Sequence, residues 1–267
     1  MKAILLGIIQ GLSEFLPISS SGHLVLAEEI LHFKEGGLAF EVFVHFGTLL
    51  AVFWVFRKDF IRMITALPFI FHLRKGKLDT ERRDYAWLAI FIFVGSIPAA
   101  VIGILWEDTI EQLFESHVLV LFMLFVTGLI MLSSRFVKER KENMNVKEAF
   151  LIGIAQAFAI IPGISRSGST IVSGLWMGIN RDRVARFSFL LSSPVIIGAT
   201  LLKLKHLLEN PPASSEIIHL SAATIAATIS GYFAIVWLLE VIKQKKLQWF
   251  GLYCIGVSII GLIVVNV

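Results

Sequence analysis

Six stretches of the chain are almost uninterruptedly apolar: 38–56, 85–105, 117–134, 184–203, 218–239 and 249–266. Each is close to the roughly 20 residues that carry a helix across the hydrocarbon core of a bilayer. Unpaired backbone groups in lipid cost several kcal/mol each, so only helices or a closed barrel can span. Continuous apolar runs lack the period-two alternation of barrel strands, and the pattern therefore predicts an all-α integral membrane protein with six full spans. Two further apolar stretches, near the N-terminus and after residue 147, are different. Each is broken in its middle by Pro, Ser and Gly.

These two broken stretches are copies of one another. "GIIQGLSEFLPISSSGH" (7–23) aligns without a gap on "GIAQAFAIIPGISRSGS" (153–169) at a shift of 146 residues. Gly7 pairs with Gly153, Gln10 with Gln156, Ser19 with Ser165, Ser21 with Ser167 and Gly22 with Gly168. The chain thus reads as a single membrane domain, 1–267, built from two repeats of about 1–140 and 147–267, each a broken segment followed by three spans. In the first copy the apolar pieces, about 4–16 and 22–33, rise under about 20 Å each as helices, too little to cross. Both segments are expected to be re-entrant helical hairpins, whose irregular tips survive at membrane depth only inside protein or beside a water-filled cavity.

Charge placement gives the orientation. The connection 57–83 carries Arg57, Lys58, Arg62, Arg74, Lys75, Lys77, Arg82 and Arg83, whereas 106–116 has Glu107, Asp108, Glu111 and Glu115 and no Lys or Arg. The first is therefore cytoplasmic and the second external. Arg135, Lys138, Arg140, Lys141 and Lys147 also lie inside, as do Arg181 and Arg183 beyond the second hairpin. The first hairpin then enters from outside and the second from inside, so the repeats are inverted. Broken helices meeting at an inverted-repeat interface are a transporter device for building a site from helix ends.

The two tips carry the chemistry. Gln10 and Glu14 are one helical turn apart on one face, and an intramembrane carboxylate is expensive enough to imply function. "SSSGH" (19–23) and "SRSGST" (165–170) each open a helical piece, where small residues, exposed N–H groups and the helix dipole favour an anion such as phosphate. Ser19, Ser21, Gly22, Ser165, Ser167 and Gly168 are the candidate cradle; neither copy has the Lys of a P-loop. Where the repeats differ, Glu14 faces Ile160, Ser20 faces Arg166 and His23 faces Ser169. One tip offers a carboxylate, a hydroxyl and an imidazole, the other a guanidinium whose planar fork suits phosphate oxygens. This division of labour fits phosphoester or phosphoanhydride hydrolysis. Arg166 would stabilise the transferring phosphoryl group, His23 would move a proton, and Ser20 or water would attack, with His23 as the alternative nucleophile. Glu14 is the candidate ligand of a divalent cation, Mg2+ or Ca2+, shared with the substrate. Gln10 and its repeat Gln156 are further candidates for binding the substrate, and Gln156 also for holding the tips together.

Composition agrees. Of 267 residues 56% are hydrophobic and only 16% charged, and the net charge of +4 is explained by cytoplasmic loops rather than by nucleic acid. Cys254, the only cysteine, lies in an apolar stretch as a small hydrophobe, which excludes an internal disulfide. Gln10 and Glu14 interrupt the N-terminal apolar run, so residues 1–15 are kept as part of the mature protein rather than a signal peptide.

At these residues the sequence resembles the bacterial undecaprenyl-diphosphate phosphatases, the bacitracin-resistance protein family. "QGLSE" resembles that family's Glu/Gln-x-x-x-Glu motif, "LPISSSGH" its Pro-x-Ser-Ser-x-Gly-His motif, and "PGISRSGST" its Pro-Gly-x-Ser-Arg-Ser-Gly motif. The resemblance implies a multi-pass enzyme of the bacterial plasma (inner) membrane that removes the terminal phosphate of a C55 polyprenyl diphosphate, yielding the carrier used in peptidoglycan synthesis. It further implies a divalent metal requirement, an active site opening to the outer face, and bacitracin resistance when the enzyme is abundant. The family's acidic pair falls on Gln10 and Glu14, its serine on Ser20, its histidine on His23 and its arginine on Arg166. Gln10 departs from the Glu of many members, which leaves Glu14 as the better metal ligand. The rival class is a lipid-phosphate transporter or flippase using the same site; the expected partners are the lipid substrate and the bilayer, with a homodimer kept as a candidate assembly.

Other polar residues are read more plainly. Glu41 and His45, four apart on a span, could flank the site or bind metal, and are assigned to packing against neighbouring spans or to the cavity wall. His32, His72, His117, His206 and His219 are read as solvated, the six Trp as a membrane-interface belt, and 134–147 as a solvated connector between halves.

Overall fold

The structure, a computed structural model, describes residues 1–33, 37–72, 79–209 and 211–265. Its helices are α1 (Lys2–Phe15), α2 (Ser20–Leu31), α3 (Gly37–Val55), α4 (Arg57–Ala66), α5 (Thr80–Leu105), α6 (Glu107–Phe114), α7 (His117–Ser133), α8 (Val146–Phe158), α9 (Arg166–Trp176), α10 (Arg181–Glu209), α11 (Ser214–Lys243) and α12 (Gln248–Val265). Among the described residues five helices are long and apolar enough to cross a membrane: Gly37–Val55, Thr80–Leu105, His117–Phe136, Arg181–Glu209 and Glu216–Lys243. The sixth expected span differs, since Gln248–Val264 is a shorter apolar helix and residue 266 lies outside the described residues.

The outer surface is itself apolar, with Phe93 69% exposed, Phe233 64% and Ile260 64%. Isolated exposed hydrophobes are ordinary, but long apolar side chains on one helix after another suit a surface solvated by lipid. The interior brings Phe15, Phe56, Leu124, Met131, Ile171, Phe187, Phe189 and Leu191 into one cluster, so both broken segments and the spans share a core.

Close helix contacts rest on small residues, as membrane packing requires. A Cβ on Gly7 of α1 would lie 2.4 Å from the Ala223 carbonyl oxygen of α11, and one on Gly153 of α8 would lie 2.3 Å from that of Gly95 in α5. Gly128 of α7 and Gly251 of α12 meet in the same way, each blocking a Cβ on the other helix within 3 Å.

The connections carry more structure than the sequence indicates. Residues 57–66 form α4, whose Asp59 pairs with Arg186 and whose Arg62 pairs with Glu81 at 2.8 Å. Arg74, Lys75 and Lys77 lie outside the described residues. The connector 134–147 is not simply solvated. The N–H groups of Arg140 and Lys141 donate to the Gly178 carbonyl, Asn180 N–H donates to the Lys141 carbonyl, and Arg181 pairs with Glu139 at 3.0 Å. Lys141 also pairs with Glu148 of α8, so the connector is stitched both to α8 and, through those backbone bonds, to the turn between α9 and α10. His32 and His219 are exposed and His117 is partly so, while the side chains of His72 and His206 lie outside the described residues. Trp54, Trp106, Trp176, Trp237 and Trp249 are all exposed.

Candidate active site

The first tip forms because Pro17 follows Leu16. A residue before proline is pushed out of helical geometry, and Leu16 is extended (φ −63°, ψ 139°), ending α1. Ser19 takes a positive φ of 70°, sparsely populated for a residue with a Cβ, and starts α2 by accepting the Gly22 N–H on its Oγ at 3.3 Å. The second tip turns at Gly163 (φ 92°), where an added Cβ would sit 2.1 Å from the Val120 carbonyl oxygen. Ser165 then repeats the cap, accepting the Gly168 N–H at 3.1 Å.

The tips are bonded directly to each other. Gly163 N–H donates to Ser21 Oγ at 3.2 Å, and Ser167 Oγ donates to the Leu16 carbonyl at 3.3 Å. Thr127 of α7 braces the second tip, its hydroxyl donating to the Gly163 carbonyl at 2.9 Å and accepting the Ser165 N–H at 3.0 Å. Ser19, Ser21, Ser165 and Ser167 therefore shape and join the tips, with Oγ to Oγ distances of 3.2 Å in both serine pairs. Gly22 and Gly168 keep the cap turns compact; a Cβ on Gly168 would meet Met131 Sδ at 3.0 Å.

Glu14 is the hub where the two tips meet. Its side chain is 7% exposed, and its Oε1 lies 2.5 Å from Arg166 Nη2 on the other tip. On Oε2 it accepts Ser20 Oγ at 2.6 Å and Gln10 Nε2 at 3.0 Å. A short hydroxyl-to-carboxylate bond of this kind can draw the proton from a nucleophile. Arg166 uses only Nη2 here and its side chain is 15% exposed, so further guanidinium donors remain for an anion. The sequence places Gln10, Glu14, Ser20 and Arg166 in one site, and the structure brings these four together.

His23 is in the first tip but does not bond to Ser20 or Glu14. Its Nδ1 lies 2.9 Å from the Ser19 carbonyl oxygen and its Nε2 lies 2.8 Å from Tyr253 Oη on α12. Gln156 is 1% exposed, and neither atom of its amide has a protein partner, nor has Gln10 Oε1. Gln156 therefore makes no bond that ties the tips together.

Among the described residues no three His, Cys, Asp or Glu side chains gather as a metal cage. The donors at hand still suit a hard cation of the magnesium type, which binds one or two carboxylates and completes its shell with substrate oxygens and water. They are the Glu14 carboxylate and the orphaned, fully buried Oε1 of Gln10.

Two neighbours lie outside the set that the sequence assigns to the chemistry. His45, read there as a wall or packing residue, places Nε2 3.8 Å from Glu14 Oε2 while its Nδ1 lies 2.8 Å from the Glu41 carbonyl oxygen. Its signal was a polar position in an apolar span, one turn from Glu41, which itself pairs with Lys203 at 2.9 Å. Tyr253 had no signal, for it lies 230 positions from His23 and nothing local distinguishes it.

Comparison with known proteins is consistent along the whole chain. The family model described as bacitracin resistance protein BacA matches residues 3–260. A protein of Halothermothrix orenii named undecaprenyl-diphosphatase is 48% identical over 265 residues, covering 97% of this chain and 96% of its own length. One of Methanobrevibacter smithii with the same name is 41% identical over 271 residues, covering 97% and 95%. A Bacillus thuringiensis protein named undecaprenyl-diphosphatase 4 is 38% identical over 263 residues, covering 97% and 95%.

Proposed function

The chain belongs to the bacitracin resistance protein BacA family, and on that premise we propose that it hydrolyses undecaprenyl diphosphate to undecaprenyl phosphate and inorganic phosphate, recycling the lipid carrier of cell-wall synthesis. The observation that carries the reading is Glu14, one carboxylate bonded to a hydroxyl on its own tip and to a guanidinium on the other. A hydroxyl beside its base and a cation beside both is the set of groups that phosphoryl transfer needs.

In the proposed sequence Arg166 turns its free donors to the terminal phosphate, and the N–H groups at the starts of α2 and α9 add positive field. Ser20 Oγ attacks the terminal phosphorus as its proton passes to Glu14. The Oγ–P bond forms, the bond from phosphorus to the bridging oxygen breaks, and undecaprenyl phosphate leaves. Water then attacks the phosphoserine phosphorus as His23 accepts its proton; the Oγ–P bond breaks, Glu14 returns its proton to Ser20 Oγ, and inorganic phosphate is released. The 2.6 Å bond from Ser20 to Glu14 favours this order over direct attack by water or by His23. Glu14 and Gln10 would hold a divalent cation, which would neutralise charge on the diphosphate.

The two-repeat organisation is part of the proposal, and packing supports it. At a shift of 146, α1 corresponds to α8 and α3 to α10, with α5 and α7 followed in the second half by α11 and α12. α1 packs along α11 while α8 packs along α5, and α7 packs along α12, which is the exchange of partners a pseudo-two-fold axis produces. Gly7 and Gly153, equivalent by sequence, both seat a helix crossing. Three spans between equivalent points invert the second repeat, so the hairpins enter from opposite faces of the plasma (inner) membrane. The basic 57–83 connection marks the cytoplasmic side and the site opens outward through the first hairpin.

The carrier reading has no support of its own, since the relatives carry a hydrolase's name. Purified protein in detergent, without any gradient, should release phosphate from undecaprenyl diphosphate, and Ser20→Ala and Arg166→Ala should each abolish that release. A protein that moved the lipid across vesicles without ever releasing phosphate would reverse the assignment.

A further inference from the structure

Both ring nitrogens of His23 are engaged away from Glu14. A carbonyl oxygen only accepts, so the 2.9 Å contact of Nδ1 with the Ser19 carbonyl places the ring's proton on Nδ1. In the neutral ring Nε2 is then the bare nitrogen, and the Tyr253 hydroxyl, 2.8 Å away, donates to it. This tautomer follows from the hydrogen-bond network. The two rings also stack, with centroids 5.6 Å apart and planes within 15°. Ring plane, tautomer and the direction of the lone pair are thus all set by two groups, one on the tip and one on α12.

Tyr253 stands on a firm base. Its neighbour Cys254 is fully buried and donates from Sγ to the Pro17 carbonyl at 3.8 Å, tying α12 to the turn of the first tip. Ser258 Oγ donates to the Leu121 carbonyl at 2.7 Å, and Gly251 meets Gly128, which fixes α12 along α7. The Tyr253 ring borders an apolar slot of about 400 Å³ with Leu16, Ile18, Trp237 and Phe250 while the residue stays 46% exposed, so its orientation rests on the bond and stack with His23 and on the anchoring of α12. A reacting group works only when its support holds it in the productive geometry.

We infer that Tyr253 is a positioning residue for the phosphatase reaction, delivering His23 with Nδ1 protonated and Nε2 free to accept a proton once substrate displaces the tyrosine hydroxyl. The inference rests on the reading of His23 as the proton-moving group. Tyr253 acts through His23, its hydroxyl meeting only the resting Nε2.

Tyr253→Phe separates the hydroxyl from the ring, since it keeps the stack and the slot wall. Expected is a fall in kcat of about three- to tenfold, the weight of one hydrogen bond, with KM changed less than twofold. In 15N-histidine-labelled protein the resonances lost in His23→Gln identify His23. They should report an Nδ1-protonated ring with a hydrogen-bonded Nε2 in wild type, and a mixed or shifted tautomer in Tyr253→Phe. Adding Tyr253→Phe to His23→Gln should cost nothing further in kcat. Unchanged kcat and unchanged His23 resonances in a folded Tyr253→Phe protein would overturn the inference while leaving His23 its role. An equal further loss in the His23→Gln background would overturn it too, because the tyrosine would then act elsewhere. Full turnover by His23→Gln would instead remove the parent reading, and the role of Tyr253 with it.

Discussion

Exchanging Glu14 for Gln keeps the side chain's shape but removes the one charge that faces Arg166 across the tips. The two side chains are 7% and 15% exposed, and Oε1 lies 2.5 Å from Nη2. Removing one partner of a buried pair costs about 3–5 kcal/mol, because the other charge is left uncompensated. The 15% of Arg166 that reaches solvent places Glu14→Gln at the lower end, about 3 kcal/mol. At about 2–4 °C per kcal/mol for a chain of this size, melting should fall by roughly 6–12 °C. Arg166→Gln, which strands the carboxylate, should fall at least as far. The double variant is the decisive one, because no uncompensated charge remains. It should melt higher than the sum of the single losses predicts, by about 1–3 kcal/mol of coupling. Activity should behave oppositely: Glu14→Gln should lose about 100-fold or more in kcat, as expected for a lost general base, and the double variant should recover none of it. Tryptophan-fluorescence melts and phosphate release on the same purified samples supply both numbers. Additive melting losses in the double variant would mean that the pair does not join the tips, and the site as described would be wrong.

Other expectations follow from single contacts. Thr127→Val strips the second tip of both its bonds from α7, leaving the Ser165 N–H and the Gly163 carbonyl unmet. Stability should fall by about 1–3 kcal/mol in thermal melts, with a matching loss of turnover. Gly163→Ala adds a Cβ that would lie 2.1 Å from the Val120 carbonyl oxygen, at a positive φ. It should destabilise by more than Gly22→Ala, whose Cβ would find its nearest atom at 3.3 Å, when the two are compared by melting. Chelation with EDTA should suppress phosphate release and added Mg2+ should restore it. Gln10→Ala should raise the Mg2+ concentration giving half-maximal rate, whereas a rate indifferent to chelation would remove the cation from the account.

Much of this arrangement can be read from the chain because it is either periodic or repeated. The spans declare themselves by length and apolarity, and the breaks by Pro17 and by the Pro162–Gly163 pair, where proline disfavours helix before it and glycine permits a positive φ. Arg166 is legible because the repeat aligns it with Ser20, which suggests that the two tips share a site before any distance is known. Bonds between distant segments leave no such mark. Tyr253 reaches the site only through the packing of α12 against the first tip, and nothing near it encodes that approach, whereas His45 on α3 shows itself only as a polar position in an apolar span. The connector 134–147 looks like a solvated charge run, yet its backbone pairs with Gly178 and Asn180, an order imposed by where α9 ends. His23 was assigned from its chemistry to the centre of the site, and only the structure reveals that both ring nitrogens are engaged elsewhere.

The central claim is that Ser20, activated by Glu14 on one tip and faced by Arg166 on the other, takes the terminal phosphate. Rapid acid quench of the purified enzyme with undecaprenyl diphosphate labelled in its terminal phosphorus, followed by peptide mapping, addresses it directly. The account predicts acid-stable label on Ser20 that appears and decays at the rate of turnover and is absent from Arg166→Ala. Label on a histidine, or full turnover by Ser20→Ala, would contradict it.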